Sequence, residues 1–253
     1  MADGTGPVPV LCFPPAGAGA SFFHAWRAGS PRLRICPVEL PGRERRFAEP
    51  PHTDLRQLAG QLAGEVAGQV GTADRVLFFG HSLGAVLAYE TVRALAAAGT
   101  LTGRQAALVV SGSAAPGIPR PYPLSGRPDD AFLDGFRRIV GGDHPALDHP
   151  ALDHPALDDP ELRELVLPVL RADVQMHESY RPVPGEPLAI PVVCLRGAQD
   201  PLVTPDGADR WAGVTTGRFV RHELPGEHMF LVPAWRSVLE LIETVHVAEG
   251  TRV

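Results

Sequence analysis

The sequence predicts an α/β protein: a mostly parallel central sheet with helices on both faces and one helical insertion. Three observations carry that reading. Short apolar runs of strand type alternate with longer helical patterns, which implies parallel strands joined by crossover helices. With 253 residues, 44% of them hydrophobic, the chain can bury one large core. Between about residues 115 and 187 the alternation stops and then resumes, so the regular fold is interrupted once.

Residues 8–13 read as the first strand, ending in the small-residue loop Pro14-Pro15-Ala16-Gly17-Ala18-Gly19-Ala20-Ser21. A helix start follows at 22–27, a second strand at 33–38, and a sharp turn at Glu39-Leu40-Pro41-Gly42-Arg43. Asp54 can cap a helix over 55–70, where Leu58, Leu62, Val66 and Val70 recur every fourth residue. Strand 75–79, helix 85–98 and strand 106–111 come next. Inside the interruption, helices are expected over 129–139 and from 159 to about 180. The second carries Leu162, Leu165, Val166, Val169 and Leu170 on one face, and Pro168 should kink it. Strand 190–195, a helix start at 205–211, strand 218–224 and an amphipathic helix at 233–247 complete the pattern. The domain reading is therefore a core of 1–114 and 188–253, with 115–187 inserted as a lid over the site.

Composition narrows the function classes. A net charge of -6 and a pI near 5.9 do not point to nucleic acid. Cys12, Cys36 and Cys194 are odd in number and lack metal-ligand spacing, so buried free thiols in a reducing compartment are expected. The first nine residues lack a signal peptide's basic start and apolar stretch, and no apolar run approaches membrane-spanning length. The expectation is a soluble, cytoplasmic protein. The pentapeptide His144-Pro145-Ala146-Leu147-Asp148 occurs three times over 144–158. A five-residue period turns successive copies by roughly 140° on a helix, so the histidines share no face. A duplicated exposed loop is expected there, and no metal.

The chemistry centres on Gly80-His81-Ser82-Leu83-Gly84, set between a strand and a helix. That context is the nucleophile elbow of an α/β-hydrolase, in which a strained turn pushes a serine hydroxyl out at the sheet edge. The turn brings strand and helix backbones together, so Gly80, Gly84 and Ala85 keep their neighbours' space free. A serine nucleophile needs a base, and the base needs an acid to hold its tautomer, in the chain order Ser, Asp, His. Asp200 follows strand 190–195 and His228 follows strand 218–224, each in a turn at a strand's carboxyl end. His222, within a strand, His246, in the last helix, and Asp206 and Asp209, too far along, are worse placed. Ser82, Asp200 and His228 are therefore the candidate catalytic residues. Two backbone N–H groups, of Leu83 and Ala16, are the candidate oxyanion hole.

Several phrases occur together here: Cys12-Phe13-Pro14-Pro15-Ala16-Gly17, Leu40-Pro41-Gly42-Arg43, the elbow, Gly197-x-x-Asp200 and Gly226-Glu227-His228-Met229-Phe230. The insertion adds Asp159-Pro160-Glu161-Leu162, Leu170-Arg171-Ala172-Asp173 and Glu178-Ser179-Tyr180. Over nearly the whole chain this resembles the type II thioesterases that accompany polyketide and nonribosomal peptide synthases. The resemblance implies an editing enzyme that hydrolyses stalled or wrong acyl groups from the phosphopantetheine arm of carrier proteins. It implies acyl or peptidyl carrier proteins as partners and no cofactor beyond the phosphopantetheine that the substrate brings. Two features depart from the family pattern: Ala18 stands where a second glycine is usual, and the pentapeptide repeat is additional. Because such carriers present an acidic helix, Arg45 and Arg46 are candidate carrier-docking residues, with Arg43 bracing the Pro41-Gly42 turn. The alternatives are a small-molecule carboxylesterase on the same residues, a chain-releasing thioesterase, and a silent hydrolase fold serving as a scaffold.

Overall fold

The computed structural model describes residues 6–140 and 160–250. Six strands form one sheet: β1 (Val8–Phe13), β2 (Leu33–Pro37), β3 (Arg75–His81), β4 (Gln105–Ser111), β5 (Val192–Gly197) and β6 (Phe219–Leu224). Their order is β2-β1-β3-β4-β5-β6 and every pairing is parallel. Among the described residues six α-helices accompany them: α1 (Leu55–Gly71), α2 (Leu83–Ala97), α3 (Asp129–Val140), α4 (Pro160–Ser179), α5 (Pro205–Asp209) and α6 (Trp235–Gly250).

The two-residue period of a strand sorts its side chains onto two faces. Leu11, Phe13, Val76, Phe78, Leu108 and Val110 pack on one side, against α1, α2 and the apolar faces of α3 and α4. The intervening Val10, Cys12, Leu77, Phe79, Ala107 and Val109 pack on the other, with Phe23, Trp26 and the α6 residues Val238, Leu239 and Ile242. Helices thus cover both faces, which is why the central strands β1, β3 and β4 are apolar at most positions. Cys12 and Cys194 are buried free thiols, whereas Cys36 is partly exposed. Burial pushes the Cys194 thiol up to about 12, so it is inert as a nucleophile. No helix among the described residues is long and apolar enough to cross a membrane.

Register places the site. Gly80 lies opposite Phe13, His81 opposite Ser111, and Gly197 opposite Leu224. The loops after β1, β3, β4, β5 and β6 therefore leave the sheet at one edge, where open parallel sheets bind their ligands.

Most elements form where the residue pattern predicts them. Asp54 caps α1, its Oδ1 accepting the N–H groups of Arg56 and Gln57 at 2.9 Å each. The segment after the first loop differs: Ala20–Ala28 is a 3-10 helix. Three residues per turn set Phe23 and Trp26 above one another, and their rings meet edge to face at 5.2 Å. The helix start at 205 also differs. After Pro205–Asp209 the chain tightens to a 3-10 turn, Arg210–Val214. Buried Trp211, whose indole N–H donates to the Ser113 carbonyl at 2.8 Å, pins it there. Pro168 sits inside α4 without ending it. The repeat at 144–158 lies outside the described residues.

The closest backbone approach joins β1, β3 and α2. A Cβ on Gly84 would stand 2.1 Å from the Phe13 carbonyl oxygen and 2.6 Å from that of Pro14; one on Gly80 would stand 2.0 Å from the Gly84 oxygen. Gly84→Ala is expected to destabilise the fold by about 1–3 kcal/mol, since backbone must move to admit the methyl group. Denaturant unfolding checks this, and an unchanged midpoint would contradict the close approach.

Candidate active site

Ser82 stands between β3 and α2 with φ 55° and ψ -117°. A left-handed backbone at a residue other than glycine costs roughly 1–3 kcal/mol and persists only where its surroundings enforce it. Here the Ser82 N–H donates to the Ser111 carbonyl at 2.8 Å, and the Ser82 carbonyl accepts from Ala85 at 3.1 Å. Strand pairing on one side and the first turn of α2 on the other hold the strained residue. Ser82 is also the N-terminal cap of α2, where the helix dipole favours negative charge.

The turns after β5 and β6 bring Asp200 and His228 to it. His228 Nδ1 lies 3.0 Å from Asp200 Oδ2, and His228 Nε2 lies 3.1 Å from Ser82 Oγ. Because Nδ1 faces a carboxylate it carries the proton, which leaves Nε2 to accept the serine O–H. The two turns are stitched to each other. Gln199 N–H donates to the Gly226 carbonyl at 3.0 Å, and Gly226 N–H donates to the Gln199 side-chain oxygen at 2.8 Å. All three residues of the site are buried, with at most 5% exposure. Burial alone would raise the Asp200 pKa. The His228 ring beside it and the Leu202 N–H donating to Oδ1 at 2.8 Å outweigh that and hold the carboxyl below its ordinary value. The competing acids are committed elsewhere, Asp206 to Arg210 and Asp209 to Arg221.

Two histidines that residue spacing did not single out belong to the same neighbourhood. His81 is fully buried, its ring 5.1 Å from that of His228, and its Nδ1 lies 2.9 Å from Ser111 Oγ. Burial, then the neighbouring His228, lowers its pKa well below the ordinary imidazole value, so it packs under His228 as a neutral ring. His177, on α4, accepts a hydrogen bond from Arg120. Burial and then the guanidinium charge hold it neutral as well. The sequence signals were the elbow's second position for His81 and nothing local for His177.

The N–H of Leu83 opens α2 and that of Ala16 follows β1; among the described residues neither has a hydrogen-bond acceptor. The cavity beside Ser82 and His228 is walled by Ala16, Phe136, Val174, Arg120 and His177 and holds about 30 Å³. Phe136 of α3 and Val174 and His177 of α4 stand over it. Arg120 and His177 also border an adjoining cavity of about 290 Å³.

The arginines of the 41–46 turn divide by their partners. Arg43 Nε reaches the Pro41 carbonyl at 3.4 Å, as a brace should, but its terminal nitrogens turn to Asp173. Arg46, the other candidate docking residue, has partners within the fold. Glu49 binds it through two nitrogens at 2.7 and 2.6 Å, and Glu65 and the Glu39 carbonyl take Nη1 at 3.0 Å each. A guanidinium held by two carboxylates has little charge left for a partner. Arg45 is 85% exposed, and among the described residues its ion pair is with Glu39 at 3.5 Å.

A family model described as "Thioesterase domain" matches residues 8–246. The linear gramicidin dehydrogenase LgrE of Brevibacillus parabrevis is 32% identical over 93% of this chain and 86% of its own. The thioesterase PikA5 of Streptomyces venezuelae is 35% identical over 91% of this chain and 78% of its own. Among solved structures, the type II thioesterase BorB from the borrelidin biosynthetic cluster superposes with a TM-score of 0.77 at 32% identity, covering 95% of this chain and 91% of that one. The first of these names carries a redox activity, but the loop after β1 lacks the glycine fingerprint of a dinucleotide site. The loop after β1 reads Gly17-Ala18-Gly19-Ala20-Ser21-Phe22, with phenylalanine where the fingerprint needs a third small residue, and a 3-10 rather than an α-helix follows.

The Asp200 shift has a defined sign. A carboxyl held low in the folded state adds stability that is complete above its unfolded value, near 3.9, and is lost as pH falls through the folded one. Asp200→Asn is therefore expected to be less stable than wild type at neutral pH, with the gap narrowing below about pH 4. Parallel denaturant titrations at pH 7 and pH 3 check this; a gap that does not narrow would contradict it.

Proposed function

The chain belongs to the thioesterase domain family, and we propose that it is a type II, editing thioesterase. In this reading it hydrolyses acyl groups from the phosphopantetheine arm of carrier proteins in a polyketide or nonribosomal peptide pathway, in the cytoplasm. The observation that carries the reading is the unbroken run of contacts from Ser82 Oγ through His228 to Asp200 at the sheet edge.

The geometry supports the following chemistry. Ser82 Oγ attacks the thioester carbonyl while His228 Nε2 takes its proton. Asp200 holds the proton on Nδ1 and steadies the imidazolium that forms. The N–H groups of Leu83 and Ala16 point their partial positive charge at the developing oxyanion, and each donor of this kind is worth ~10²–10³ in rate. Collapse expels the pantetheine thiol, which takes a proton from His228. A water then attacks the acyl-enzyme with His228 as base again, releasing the carboxylic acid and restoring Ser82. No metal or organic cofactor enters any of these steps. In this reading the α3–α4 cover, whose Phe136, Val174 and His177 line the cavity, acts as a lid.

Ser82→Ala is expected to fold normally and to lose hydrolysis of acyl carrier proteins by about 10³-fold or more. Turnover of a panel of acyl carrier proteins, set against matched simple esters, tests both the residue and the class. Faster turnover of esters would favour a carboxylesterase. A carrier should also feel the exposed Arg45. Arg45→Glu is expected to slow attack on acyl carrier protein at low salt, with the difference fading at high salt, and to spare small acyl thioesters. Equal slowing of both substrates would remove Arg45 from the docking surface.

A further inference from the structure

The Leu40-Pro41-Gly42-Arg43 turn and the Leu170-Arg171-Ala172-Asp173 phrase have no part in the chemistry above, yet the fold joins them beside it. Asp173, on α4, is 1% exposed. Its carboxylate pairs with both terminal nitrogens of Arg43, Oδ2 to Nη1 at 2.6 Å and Oδ1 to Nη2 at 2.8 Å. The same Oδ2 accepts the backbone N–H of Gly17 at 2.8 Å. Arg43 Nη1 in turn donates to the Ala18 carbonyl at 3.1 Å. One buried ion pair therefore grips the loop after β1 at two consecutive residues, directly after Ala16.

Gly17 has φ +77°, a left-handed turn directly after Ala16 that bends the loop there. A second hold lies four residues on, where Glu44 Oε1 accepts from the Ser21 N–H at 3.0 Å. The loop's own bonds are few: Ala18 N–H reaches the Pro15 carbonyl at 3.1 Å, and Phe22 N–H reaches that of Gly19 at 3.2 Å. A loop of small residues with so little internal bonding takes its shape from outside. The carboxylate that shapes it sits on the helix that also covers the cavity.

We propose that Asp173 is a positioning residue for the oxyanion hole, coupling the seating of helix α4 to the placement of the Ala16 N–H. With α4 seated, Oδ2 holds the Gly17 N–H and the loop presents Ala16 toward Ser82. With α4 displaced to admit substrate, the Gly17 N–H loses its acceptor and Arg43 its counter-ion, so the hole is complete only when the cover is closed. The inference rests on the thioesterase reading and on the Ala16 assignment.

Removing one partner alone leaves a buried unpaired charge, and the protein then loses stability whatever Asp173 does in catalysis. Two double variants avoid that. Arg43→Met with Asp173→Asn removes both charges but keeps an oxygen for the Gly17 N–H. Arg43→Met with Asp173→Leu removes the oxygen too, at similar volume. Both are compared with wild type by thermal melting and by kcat and KM on a small acyl-pantetheine thioester. The expected result is two folded proteins with similar KM, the Leu double falling about tenfold or more below the Asn double in kcat, within the range for a misplaced oxyanion donor. Equal kcat in two folded doubles would overturn the coupling, as would a loss that follows the melting temperature or appears in KM alone. A wild type inactive on every acyl thioester would instead sink the functional reading itself.

Discussion

The structure depends on how closely three backbone segments approach one another. β1, β3 and the start of α2 meet at Gly80 and Gly84 with no room for a methyl group. That contact forces the Ser82 backbone into the left-handed region and aims its hydroxyl away from the sheet. It also fixes the helix N-terminus and the loop after β1 on either side of the serine. Nucleophile and both candidate oxyanion donors are thus placed by one packing contact. The large buried core on both sheet faces opposes the strain, since the elbow cannot relax without separating β1 from α2.

Electrostatics completes what packing begins. Asp200 remains ionised although buried, because the imidazole and a backbone N–H outweigh desolvation. The two neighbouring histidines are held neutral by their burial and by charges around them, so they line the site without competing for its proton. Division of labour among chemically similar groups comes from environment. His228 has a carboxylate on one side and a hydroxyl on the other, whereas His81 has a serine and a wall of ring faces.

Polar contacts brace the cover over the site within itself, and one of them reaches the core. Glu178 accepts the backbone N–H groups of Leu124 and Ser125 at 2.6 and 2.8 Å, and Tyr180 donates to Glu90 on α2 at 2.6 Å. Arg171 pairs with Asp129 and lies over the ring of Phe132, linking α4 to α3. Directional contacts of this kind favour one seating of the helix.

Local pattern alone determined much of this protein. Short apolar runs marked the strands, every-fourth apolar positions marked α1, and Gly80-x-Ser82-x-Gly84 between a strand and a helix marked the elbow. Asp200 and His228 were legible because parallel topology puts every strand's carboxyl end at one edge, so chain order sufficed. The 3-10 form of Ala20–Ala28 was not legible, since aromatic packing rather than propensity chose it. Nor were the partners of charged groups. Arg46 looked free beside Arg45, yet a helix elsewhere in the chain supplies Glu65 to it. Arg43 meets a carboxylate 130 residues away, and Arg120 meets a histidine 57 residues away. A hydrophobic period is written in neighbouring residues because burial acts on a whole face of an element. An ion pair is a contact between two atoms, and only the packed tertiary structure decides which two meet.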